Sequence, residues 1–125
     1  MICKVTKGVK VSIKAYYKGF SDIDKNIFSY KVILENKSDN KIKLLQRHWI
    51  IKDLGYFDSQ VKGIGVVGKQ PIISPNEIFA YKSAAKIKGI IGSMKGKYTF
   101  TKIDDTELFD VDIPEFKLII PHILN

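Results

Sequence analysis

Gly63-Ile64-Gly65-Val66-Val67-Gly68-Lys69-Gln70-Pro71 is the stretch that decides which fold this chain can have. Gly63, Gly65 and Gly68 fit the dinucleotide signature G-x-G-x-x-G. Gly63, Gly68 and Lys69 nearly fit the phosphate loop G-x-x-x-x-G-K-[ST]. Both signatures belong to α/β folds, where a strand enters the loop and a helix leaves it, because the helix N-terminus holds the phosphate. No helix can follow closely here. Gln70 stands where a Ser or Thr would hold magnesium. Pro71 and Pro75 bracket Ile72-Ile73-Ser74, and the residue before a proline is pushed toward extended backbone. The loop therefore lies between extended segments.

Outward from the loop, the dominant period is two. Val9, Val11, Ile13, Ala15 and Tyr17 alternate with Lys10, Ser12, Lys14 and Tyr16; Phe28, Tyr30, Val32 and Leu34 alternate with Ser29, Lys31, Ile33 and Glu35. Such alternation marks a half-buried strand. Residues 42–51 carry apolar side chains in both phases, which predicts a strand buried on both faces. Residues 78–83 read as a further strand and 89–103 as a long one. After a turn at Asp104-Asp105-Thr106, residues 108–113 return with Phe109, Val111 and Ile113 on one face and Asp110 and Asp112 on the other. Residues 116–120 form a last strand, set off by Pro114 and Pro121. No window shows a 3.6 period. The prediction is an all-β fold, an antiparallel two-sheet β-sandwich of the immunoglobulin or fibronectin type III kind, with residues 1–125 forming a single domain.

Composition sets the class. At 45% hydrophobic and 27% charged this is an ordinary globular chain, not a disordered one. No apolar run approaches a membrane span, and the charged residues near the N-terminus predict no secretory leader. Cys3, the single cysteine, cannot form an internal disulfide, so a cytoplasmic location is expected. The net charge of +8 invites a nucleic-acid reading. Against it, the basic residues are lysines apart from Arg47, whereas base and phosphate recognition favours Arg. A solvated lysine surface is the plainer reading, and no nucleic-acid partner is expected. Residues 104–125 are acidic instead, with Asp104, Asp105, Glu107, Asp110, Asp112 and Glu115 against Lys117.

Several residues are candidates for chemistry. Backbone N–H groups of Gly63, Gly65 and Gly68 could form an anion-binding nest, with Lys62 and Lys69 adding charge; the alternative is a connection that simply needs glycine. Arg47 and His48 precede Trp49 and face opposite ways on a regular strand, and Trp49 is expected in the core. Neither Arg47 nor His48 has a visible catalytic partner. His48, His122 and Cys3 lack the spacing of a zinc site, so no metal, cofactor or catalytic set is expected. Asp110 and Asp112 read as a solvated strand face. Tyr16, Tyr17, Phe20, Tyr56 and Phe57 are placed at strand ends or in loops. Together with Ile64, Val66 and Val67 they offer apolar contact for a partner, with Arg47 and His48 as further partner-binding candidates, and an open edge strand could pair with an extended peptide or a second copy.

Five motifs in order resemble a known family. They are Leu44-Leu45-x-Arg47-His48-Trp49-Ile50-Ile51; Val61-x-Gly63-x-Gly65-Val66-Val67-Gly68-x-Gln70-Pro71; Ile73-x-Pro75-x-Glu77-x-Phe79-x-Tyr81-x-Ser83; Gly92-x-Met94-x-Gly96-x-Tyr98; and Phe109-x-Val111-x-Ile113-Pro114-x-Phe116-x-Leu118. In this spacing they resemble the bacterial ApaG family from about Val9 to Pro121. Asn76, where glycine is common, and Ser83-Ala84-Ala85-Lys86, which lacks a glycine after the serine, depart from its pattern. The resemblance implies a fibronectin type III-like sandwich and a family whose biochemical role is unsettled. The family is linked to diadenosine polyphosphate hydrolase genes and, as CorD, to cobalt and magnesium resistance. Similar domains in an F-box protein and a polymerase-interacting protein look like protein-binding modules. The expectation is a non-enzymatic module that binds a protein, with phosphate or nucleotide binding at Gly63–Lys69 as the alternative.

Overall fold

The computed structural model describes residues 1–21 and 23–121; His122, weighed and set aside as a zinc ligand, lies outside them. The strands are β1 (Ile2–Thr6), β2 (Val9–Ser21), β3 (Lys25–Asn36), β4 (Ile42–Asp53), β5 (Ser59–Ile64), β6 (Ile72–Ile73), β7 (Ile78–Ile87), β8 (Ile91–Lys102) and β9 (Leu108–Ile119). One sheet runs β1-β2-β3-β7. The other runs β5-β4-β8-β9, with β6 also paired to β4. Every pairing is antiparallel. The two-sheet sandwich predicted from the alternation is therefore the fold.

The alternation becomes the core. Val9, Val11 and Ile13 of β2, and Phe28, Tyr30, Val32 and Leu34 of β3, face Trp49, Tyr98, Phe100, Val111 and Phe116 of the opposite sheet. Trp49 is central: its ring lies 5.4 Å from that of Tyr30 and 6.0 Å from that of Phe116, edge-on to both. Burying each such side chain contributes about 1.5–3 kcal/mol. Along one side, β1 and β2 close against β9, where Lys4 pairs with Asp112 at 3.0 Å and Thr6 Oγ1 accepts the Asp112 N–H.

Three expectations change. Residues 42–51 are not buried on both faces: Ile42, Leu44 and Trp49 are buried while Gln46 is exposed. The pairing with β8 shifts between Leu44 and Gln46, so Leu45 is an extra residue that swaps the phase of everything after it. That bulge gave the sequence its two-faced appearance. Residues 108–120 are not two strands, because β9 runs unbroken through Pro114. Pro114 falls at a shift in the pairing with β8, between Ile113 and Phe116, on an edge strand, and a missing N–H is tolerated at both kinds of place. Tyr16 and Tyr17 lie within β2 rather than at its end.

The short connections explain themselves. Asn36, fully buried, donates from Nδ2 to Ile73 O and Asn40 O and accepts from Ser38 N, which holds β6 in place. Asn76 carries φ 66°, a left-handed turn that Asn tolerates nearly as well as glycine. The next residue, Glu77, accepts the Ser74 N–H at 2.8 Å, and that bond holds its carboxyl below the usual range. Asp53 accepts the N–H groups of Lys88 and Gly89, tying the end of β4 to the β7–β8 turn.

Candidate functional site

β5 and β6 lie along the same edge of β4, opposite residues 46–51 and 42–43 respectively. Between them the chain leaves the edge as a tight hairpin. Val66 and Lys69 exchange both backbone hydrogen bonds, at 2.8 and 2.9 Å. Val67 and Gly68 form the tip with φ 43° and 77°, the geometry of a type I′ turn. The excursion begins at the β4 bulge: Leu45 O accepts from Gly65 N at 2.8 Å and from Gln70 Nε2 at 3.1 Å, and Leu44 N donates to Pro71 O.

The glycines are required by close approach. A Cβ on Gly65 would sit 2.0 Å from Lys69 O, and one on Gly63 would sit 2.6–2.7 Å from the Arg47 guanidinium. Arg47 lies over Gly63 and donates from Nη1 to Ile64 O at 3.1 Å and Gly65 O at 2.9 Å. The N–H groups of Gly65, Val66 and Lys69 already bond backbone carbonyls, so they do not converge on an outside anion.

Arg47 and His48 do face opposite ways. Arg47, half-buried, points between the sheets. There its positive charge opposes the burial that raises the hydroxyl pKa values of Tyr30, Tyr81 and Tyr98. Tyr81 and Tyr98 share a 2.5 Å hydroxyl–hydroxyl hydrogen bond. His48 turns to the outer face, where Nε2 meets Gln60 Oε1 at 2.9 Å. A groove of about 960 Å³ runs over that face, lined among others by Lys62, His48, Lys97, Asp110 and Asp112. Two of its carboxylates are engaged, Asp110 with Thr99 and Asp112 with Lys4.

The apolar candidates divide. Val66 is 0% exposed and belongs to the core, not to a contact surface. Ile64 is 74% exposed and Val67 51%, and Val61 and Ile72 are exposed beside them. Tyr56 and the 97%-exposed Phe57 project from the β4–β5 connection, whereas Tyr17 packs on Phe28 at 5.3 Å. β5 itself was not expected as a strand. The alternation that could have shown it, Gln60-Val61-Lys62, is short and runs straight into the glycines.

The chain resembles proteins of known sequence and structure over most of its length. A sequence profile for the ApaG domain matches residues 20–102. The chain belongs to the ApaG family. It is 37% identical over 120 residues to an ApaG protein of Thiobacillus denitrificans, covering 94% of each chain. It is also 37% identical to one of Anaeromyxobacter dehalogenans, covering both chains completely. A structural-genomics crystal structure superposes with a TM-score of 0.90 at 33% identity, over 98% of this chain and 94% of the other. A Bordetella pertussis protein crystallised under the name ApaA gives 0.84 at 33% identity, over 90% and 94%. The family that the five sequence motifs resemble is thus the family of the chain, and its solved members share the sandwich.

Proposed function

We propose that this ApaG-family chain is a non-enzymatic, cytoplasmic binding module that takes an extended segment of a partner protein along the β5 edge. One observation carries the reading. Val67 is β-branched yet holds φ 43° at the tip of the hairpin, with half its surface exposed. Folding gains nothing from a valine there, since Asn or Gly would form the same turn without strain. An exposed apolar knob beside Ile64 serves a contact instead. β5 hydrogen-bonds on one side only, to β4, and its other side offers free backbone groups. The phosphate reading of Lys62, Gly63, Gly65, Gly68 and Lys69 has less support, because three of the loop's N–H groups are already bonded.

The test is capture from a bacterial lysate with the chain as bait, followed by amide hydrogen exchange on the complex. Protection should fall on residues 59–69. Ile64→Asp with Val67→Asp should abolish capture and leave the melting temperature within about 1–2 °C, as exposed sites do. A complex that leaves β5 exchanging freely would overturn the edge reading. A symmetric dimer of the chain protected at β5 would identify the partner as a second copy.

A further inference from the structure

The outward face of the β1-β2-β3-β7 sheet carries a charge pattern that the β5 proposal does not use. Lys14 pairs in register with Lys31, and Lys31 with Lys82. Three lysines, distant in sequence, thus stand directly opposite one another on three adjacent strands. None has a carboxylate within salt-bridge distance among the described residues. Lys10 and Lys86 continue the same face. Its one carboxylate among the described residues, Glu35, stands four residues along β3 from Lys31, opposite Lys10 and Ile78. Like charges directly opposite destabilise a sheet, so the row works against the fold that creates it. Five lysines, Lys10, Lys14, Lys31, Lys82 and Lys86, thus share this one face.

We propose that this face is a second docking surface and that its partner is an acidic protein segment. Charge complementarity selects an anion with several charges. Carboxylates at i and i+4 of a helix stand roughly 5–6 Å apart, close to the roughly 4.8 Å between neighbouring strands, so one acidic helix face can meet all three ammonium groups. Exposed Ile78 and Val5 on the same face suit a partner that mixes acidic and apolar residues. A single-stranded nucleic acid fits less well. Tyr16, beneath Lys14 Nζ at 5.3 Å, is a lone stacking ring, and the face has no arginine.

The experiment is fluorescence anisotropy with a labelled Ala-rich helical peptide carrying Glu at i, i+4 and i+8. The same peptide with Gln, single-stranded oligothymidylate and tripolyphosphate serve as comparison ligands. The Glu peptide should bind at low salt, and Lys14→Glu, Lys31→Glu and Lys82→Glu together should weaken it at least about tenfold. Lys52→Glu, Lys88→Glu and Lys117→Glu together remove the same net charge elsewhere on the surface and should leave binding nearly intact. Lys31→Glu alone should weaken binding yet raise the melting temperature by about 2–4 °C, because it relieves the repulsion; a surface with no partner would show the second effect only. Equal losses in the two triple variants, or no binding of the Glu peptide at low salt, would overturn the proposal. So would tighter binding of oligothymidylate or tripolyphosphate at this face, which would make the partner a phosphate polymer.

Discussion

Val67 shows how a single backbone angle separates folding from function. A β-branched residue at positive φ costs on the order of 1–3 kcal/mol, and Val67→Asn would create the Asn-Gly pair that type I′ turns favour. That variant is expected to stabilise the chain by about 1 kcal/mol in chemical denaturation while weakening partner capture. Gly65→Ala is the converse. It combines φ 63° with a Cβ in contact with Lys69 O and is expected to cost about 2–4 kcal/mol. The sequence shows that this loop needs glycines. It does not show why, because the atoms they make room for, the Arg47 guanidinium and the Lys69 carbonyl, are placed by strand pairing and by the hairpin.

At the scale of elements, β4 organises the candidate site. Its bulge at Leu45 changes which side chains face inward, and the same irregularity supplies the carbonyl that anchors the hairpin at Gly65 and Gln70. Arg47 then braces β5 from the inner side. Arg47→Ala is expected to lower stability by about 1–2 kcal/mol through two lost hydrogen bonds and to speed amide exchange at Gly65 by about tenfold or more, measurable by NMR. Long alternating strands such as β2 and β3 were legible in the sequence because β3 buries one face throughout and β2 buries one from Val9 to Ile13. β5 was not legible, because an edge strand with little burial carries almost no hydrophobic pattern. The break expected at Pro114 was misread for a related reason: whether a proline interrupts a strand depends on whether its N–H side has a neighbour.

Across the whole molecule, the sandwich interior holds three tyrosine hydroxyls whose pKa values burial raises above the ordinary 10.0. The fold therefore favours their neutral forms. That contribution is fully present below about pH 10 and is lost as pH rises toward the folded-state values. The melting temperature should stay level at neutral pH and fall steeply above pH 10. Tyr81→Phe should flatten the fall while costing about 1–2 kcal/mol at neutral pH through the unpartnered Tyr98 hydroxyl. The sequence by itself determined the fold class and most core positions, because a period of two and turn residues are local properties that one face of water and one of core impose on any strand. It also carried the family, through motifs that each occupy a contiguous stretch. Only the tertiary structure decided which strands lie at the edges, where Arg47 reaches, that Val66 is core while Val67 is surface, and that Lys14, Lys31 and Lys82 form one row. Those are relations between residues far apart in the chain, set by register and bulges, and no local pattern encodes them.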